Sequence, residues 1–325
     1  MTFDDDRLAA LRAYGYTDRE SRFLYLVATH SGYFLANHFV RFIDSGHGWA
    51  VNTFITKALE KRHIRQELHS TTGAKRYHLY ARALYRAIGK EHSRNRKRHT
   101  VRRINVRLYA LRFVLDHLSF DYLEEEPDKV DYFINVHELS QALLPARTYA
   151  PRNGSGKEPV TRYFVDRFPL LLTEERTPVF TFIDERETTT QAFRTHVLQH
   201  LALLQALPVP SKMIFVSPVR HKFPDAERIF SRLLSSNSHG VIDHELLNYF
   251  DLRHRWEADD LKGFSKEMFR QRIDGEKRYS TPYYEELYRK WLAGDTEATA
   301  DARGDAHGKR APKASFDTYW IASAA

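Results

Sequence analysis

Apolar residues in the first eighty positions recur at the three- and four-residue spacing of helices and then give way to alternation. The spacing predicts a short lead-in over residues 1–16 carrying Leu8, Leu11 and Tyr14 and ending at Gly15. The next helix opens at the capping box Thr17-Asp-Arg-Glu20, runs to about His30, buries Phe23, Leu24, Leu26 and Val27, and ends at Gly32. Residues 35–43 read as a short apolar helix, and Asp44-Ser-Gly-His-Gly48 as a breaker. Residues 49–61 then form a second helix with the stripe Val51, Phe54, Ile55, Ala58 and Leu59. Residues 64–68 and 76–80 read as strands around the turn Ser70-Thr-Thr-Gly73-Ala-Lys75. Two helices joined by a glycine turn, followed by a hairpin, is the order of a winged helix-turn-helix.

That order assigns roles to the polar positions. Asn52, Thr53, Thr56 and Lys57 lie opposite the apolar stripe of the second helix, where base edges and phosphates of a duplex would meet it. Arg62, Arg65, Lys75 and Arg76 surround the hairpin, where a wing presses on the DNA backbone without reading sequence.

Further along, residues 81–89 read as helix, and a longer helix starts at Thr100 with the stripe Val101, Ile104, Leu108, Leu111, Val114, Leu115 and Leu118. Residues 132–136 fit a strand or a helix start, 136–144 a helix, and 151–156 a loop. Residues 160–168, 170–172, 179–183 and 213–216 are short runs rich in β-branched and aromatic residues. A helix over 189–207 separates the last two, so strand, helix and strand make a βαβ unit of a buried sheet. Residues 224–234, 244–252 and 283–292 read as helices, whereas the charged stretch 252–278 around Trp256 and Phe264 has no clear period. Residues 293–315 are Ala-, Gly-, Asp- and Lys-rich and read as flexible, with an aromatic tail at 316–320. The resulting fold class is α+β. A winged helix-turn-helix covers 1–85, a basic connecting segment 86–107, an α/β domain 108–292 and a flexible tail 293–325.

Charge sharpens the picture. The 325 residues carry a net +8, and 86–107 alone hold nine Lys and Arg against one acid, Glu91, so the remainder is close to neutral. Arg94, Arg96, Lys97, Arg98, Arg102 and Arg103 therefore extend the expected phosphate track. The partner this implies is double-stranded DNA. A homodimer or protein partner is expected through the α/β domain, and no membrane, since no apolar run approaches a membrane span. The acidic start Met1-Thr-Phe-Asp-Asp-Asp6 is unlike a secretory signal and the chain has no cysteine, both in keeping with a cytoplasmic setting.

Four acids raise the question of catalysis. Asp166 is placed in the strand Tyr163-Phe-Val-Asp-Arg167, Asp184 and Glu185 close the next strand, and Asp116 lies on the preceding helix. An acid on one strand and an acid-x-Lys on its neighbour is how restriction-type nucleases hold Mg²⁺. Here Arg186 stands where the lysine would be, and a guanidinium does not deprotonate. No cofactor is expected, Mg²⁺ entering only if the chain is a nuclease with Asp166, Asp184 and Arg186 as its catalytic set. No P-loop, GxGxxG, GxSxG or HExxH pattern offers another chemistry. A non-enzymatic protein–protein scaffold is the third alternative.

The run Phe180-Thr-Phe-Ile-Asp-Glu-Arg-Glu-Thr188, the helix after it and Lys212-Met-Ile-Phe-Val-Ser217 carry a resemblance. Together with the basic winged helix and the helix after it, they resemble the replication-relaxation family of plasmid and conjugative-element proteins, over about residues 17–220. The resemblance implies a degenerate restriction-endonuclease-like fold for the α/β half, association with DNA, and a place in replication, transfer or transcription control. Of the family's positions it transfers only Asp184 and Arg186.

Overall fold

The computed structural model describes residues 3–44, 48–68, 75–149, 158–166, 168–185, 189–234, 239–295 and 313–322. In the amino-terminal part α1 (Asp5–Arg12) is capped by the Asp4 side chain, which accepts from the backbone of Asp6 and Arg7. α2 (Asp18–His30) has both halves of its capping box, Thr17 and Glu20 each bonding the other's backbone N–H. Then follow β1 (Tyr33–Leu35), α3 (Ala36–Ile43), α4 (Gly48–Glu60), β2 (Ile64–Leu68) and β3 (Lys75–Leu79). The three strands form an antiparallel sheet in the order β1-β3-β2. β1 escapes the sequence pattern because three residues between two helices are too few to alternate. The helices close on Phe23, whose ring meets Phe34, Phe39 and Phe54 at 5.3, 4.9 and 5.8 Å.

After α5 (Arg82–Ala87) and the short 3₁₀ turn Arg94–Arg96 comes α6 (Val101–Asp116), which serves two cores. Leu111, Val114 and Leu115 join the amino-terminal core. Tyr109, Ala110 and Phe113 pack instead on Leu171, Val179, Ile183, Ile214 and Val216 of the second sheet. A boundary at residue 108 therefore falls inside a helix that both halves share.

The second sheet takes β4 (Asp121–Tyr122), β7 (Leu170–Leu172), β8 (Pro178–Ile183), β9 (Ser211–Ser217) and β10 (Ala314–Trp320), in the order β10-β9-β8-β7-β4. β8, β9 and β10 run parallel, and β7 is antiparallel to both neighbours. α8 (Gln191–Ala206) links β8 to β9, as the βαβ pattern predicts, and α9 (Phe223–Leu234) follows β9. The continuous apolar run of β8 has its cause here. Val179 and Ile183 face α6, while Phe180 and Phe182 join the core with Phe193, Val197 and Leu198 of α8.

Between β4 and β7, α7 (Glu126–Asp131) continues into a π-helical turn, Tyr132–Val136, and β5 (Ala146–Tyr149) pairs with β6 (Val160–Tyr163). This two-stranded ladder is separate from the main sheet, which corrects the reading of 160–168 as one of its strands. Phe164 turns the chain at φ 49°, so Asp166 lies in a turn beyond β6. Residues 136–144 hold only the turn Gln141–Leu143, not a helix. The stretch 252–278 resolves into the end of α10 (His239–Glu257) and α11 (Lys266–Tyr279), followed by α12 (Pro282–Leu292). Gly275 lets α11 approach, since a Cβ there would stand 2.3 Å from the Tyr249 ring.

The aromatic tail is also corrected. Residues 314–320 are β10, an edge strand of the main sheet, with Phe316 against Phe193 and Phe230 and Tyr319 bonded to Asp116. No helix among the described residues is long and apolar enough to cross a membrane.

Candidate nucleic-acid interface

α4 buries Val51, Phe54, Ile55 and Ala58 and leaves Asn52, Thr53 and Thr56 exposed, as the stripe requires. Lys57 behaves differently. Its ammonium lies 2.6 Å from the Glu20 carboxylate and 5.6 Å from the centre of the Tyr16 ring. Glu20 also closes the α2 capping box, so Lys57 neutralises an acid that α2 needs, and its charge is committed inside the module.

The hairpin divides its cations in the same way. Glu67 accepts from Arg65 at 3.2 Å and from Arg76 at 3.1 Å. Arg76 is only 8% exposed, which corrects its assignment as a surface phosphate contact. Its position on β3 points inward, a fact invisible without the register to β1 and β2. Arg65 is half-buried and donates through Nη2 to His78 Nδ1 at 2.7 Å. Arg62, at φ 55°, and Lys75 remain exposed, while the hairpin tip at 69–74 lies outside the described residues.

The basic segment after the hairpin is fixed to the module. Asn95 is buried, and its amide donates to the carbonyls of Ala28 and Thr29 at 2.9 and 2.8 Å. Its side-chain oxygen accepts from Arg107, and its carbonyl accepts from His78 Nε2 at 3.2 Å. Burial and the neighbouring Arg65 push the His78 ring down to about 4, so it is neutral. The neutral ring with its proton on Nε2 satisfies both partners: Nε2 donates to Asn95 and Nδ1 accepts from Arg65. Around this anchor Arg94, Lys97 and Arg98 are exposed, and Arg96 is half-buried. The other cations of the stretch serve the fold. Lys90 is buried between Glu124 and Glu125 at 3.0 and 2.7 Å, and Arg86 pairs with Glu91 at 3.1 Å.

Arg102 and Arg103 are exposed in the first turn of α6, which contains no acid. Cations there oppose the helix dipole, so their position does not serve helix stability. Arg102 pairs with Glu185 at the carboxyl end of β8.

The structure gives the three aspartates among these acids separate partners. Asp184 is 2% exposed and accepts from Ser217 Oγ at 2.7 Å and Lys222 Nζ at 2.8 Å. Asp166 accepts from His196 Nδ1 at 3.1 Å, beside a cavity of about 40 Å³ that Lys129, Phe164 and His200 also line. Protein atoms crowding the Asp166 carboxyl push its pKa up, but the His196 hydrogen bond together with electrostatic attraction to His196, His200 and Arg147 outweighs them and leaves it below the ordinary aspartate value. Asp116 accepts from Arg41, Arg112 and Tyr319, tying α3 and α6 to β10. Arg186 lies outside the described residues. Among the described residues no three His, Asp or Glu side chains are grouped so as to hold a metal ion. Lys222, which reaches Asp184 from the turn after β9, does not stand out in the sequence. Its only local signal is the basic run Arg220-His-Lys222.

Comparison of the chain with protein-family models, with curated proteins and with solved structures yields no match.

Proposed function

We propose that the amino-terminal module is a winged helix-turn-helix that seats α4 in the major groove of double-stranded DNA. In this reading Asn52, Thr53 and Thr56 meet base edges, while Arg62, Lys75, Arg94, Lys97, Arg98 and Arg103 contact phosphates. The α/β half is a degenerate nuclease-like fold without catalytic work, and through it the protein dimerises or recruits a partner at a site on a replicon or mobile element. One observation carries the proposal. A polar helix face stands exposed beside a basic segment that a buried asparagine holds in place. A solvated linker needs no such anchor. Selection from a random duplex pool tests it. Wild type should enrich one motif, and Asn52→Ala with Thr53→Ala and Thr56→Ala should abolish the enrichment. Equal enrichment by both proteins would remove α4 from the groove.

The Lys222–Asp184 pair favours a second reading, since it places a lysine beside the acid that lacks one in sequence. Against a nuclease stand the burial of Asp184 and its engagement by Ser217 and Lys222. Incubating supercoiled DNA with Mg²⁺ or Mn²⁺ separates the two readings. Nicking that Asp184→Ala abolishes would establish the nuclease, and intact DNA agrees with the binding protein.

A further inference from the structure

Trp49 is 79% exposed, more than any other large apolar side chain among the described residues. Isolated apolar side chains are common on protein surfaces, so exposure alone means little. What sets Trp49 apart is register. Positions 49, 52, 53 and 56 follow the spacing i, i+3, i+4, i+7, so the indole heads the same α4 face as Asn52, Thr53 and Thr56. It has no ring partner among the described residues, whereas the aromatic rings at Phe23, Phe34, Phe39 and Phe54 form the core beneath. The fold makes no use of it.

We infer that Trp49 is a specificity-determining residue that covers the C5-methyl group of a pyrimidine in the major groove. The inference rests on the groove assignment of α4 above. The amino-terminal turn of a groove helix is where base recognition concentrates. The apolar group that a base pair displays on its major-groove edge is the thymine methyl, and all other readable atoms there are hydrogen-bond donors or acceptors. An indole in that turn gains by covering a methyl and gains little over a bare cytosine or a purine edge. Asn52 and Thr53, one turn on, supply the polar readout that an indole cannot. The exposed cations of the same module, Arg62 and Lys75, suit a polyanion and not an apolar protein partner. Thymine and 5-methylcytosine carry the same group, so either base satisfies the indole.

The test uses the full-length protein and the duplex motif that wild type enriches from a random pool. Affinity is measured by fluorescence anisotropy for the motif with thymine, with uracil at each thymine in turn, and with cytosine or 5-methylcytosine at the sensitive position. Burial of one methyl is worth about a fourfold change in affinity. Wild type should weaken by about that factor with uracil at one position. 5-Methylcytosine should outperform cytosine there if the methyl alone is read, and only thymine should serve if its O4 is read as well. Trp49→Ala should bind the thymine and uracil duplexes equally, and Trp49→Phe should keep part of the difference. Because Trp49 is exposed, both variants should melt with wild type, which separates a defect in recognition from a defect in folding. If wild type binds its motif but uracil changes nothing, or Trp49→Ala keeps the wild-type discrimination, the inference fails and the groove assignment stands. If wild type enriches no motif, the groove assignment fails and takes this inference with it.

Discussion

Asn95 decides where the basic segment sits, because three of its polar atoms hold it to α2, β3 and α6. Gly32 makes room for it. At φ 80°, a Cβ on Gly32 would stand 2.1 Å from the Asn95 carbonyl oxygen. Asn95→Ala should cost about 1–3 kcal/mol in denaturant unfolding, since the carbonyls of Ala28 and Thr29 are left without their donor. It should also speed tryptic cleavage within residues 94–98, and an unchanged cleavage rate would show that the segment is held by something else. Three buried histidines make stability depend on pH. Burial, with the charge of Arg112, pushes His38 down to about 3, and burial with His196 does the same for His200. His78 falls to about 4. Below the ordinary histidine pKa near 6.5 the unfolded chain binds protons at these rings and the folded chain does not. Stability should therefore be full above about pH 7 and fall as pH drops toward 4, by up to about 1.4 kcal/mol per pH unit for each ring. A denaturation midpoint that stays level between about pH 7 and pH 5 would contradict these assignments.

Elements were legible in sequence to the extent that their cause is local. The capping box at Thr17, the stripe of α4 and the βαβ unit around α8 follow from spacing, and they stand in the structure. β10 was not legible, because its partner β9 lies far away in the chain and the Ala/Gly-rich stretch before it carries no strand signal. The candidate site divides along the same line. Exposure of Asn52, Thr53 and Thr56 was readable from helical period, whereas the fates of Lys57 and Arg76 depend on Glu20 and Glu67, which only the fold brings to them. β10 supplies the element-level prediction. Tyr319 donates to Asp116 at 2.5 Å, and Asp116 also pairs with Arg41 and Arg112. Tyr319→Phe should destabilise by about 1.5–3 kcal/mol, the range for a hydrogen bond to a charged group. A chain ending before residue 314 should lose far more, because Phe316 leaves the core as well. If removal of β10 left the melting temperature unchanged, the strand would not belong to the folded sheet.

At the scale of the whole molecule the two halves share α6, which carries both a core stripe and the cations Arg102 and Arg103 at its start. Net charge is thus placed by architecture. The fold holds Lys90 and Arg107 internally, pairs Arg86 with Glu91 at the surface, and displays Arg94, Lys97 and Arg98 from a fixed platform beside the hairpin. If these groups seat on a duplex as proposed, their association would release counterions, and affinity should fall steeply with salt. The most direct test of this proposed duplex contact is the slope of log affinity against log salt, comparing wild type with Arg94→Ala/Lys97→Ala/Arg98→Ala. Wild type should show a steep slope that the triple variant reduces by about 2–3, close to 0.9 for each phosphate no longer neutralised. Binding that ignores salt, or a slope identical in the two proteins, would contradict the proposed contact.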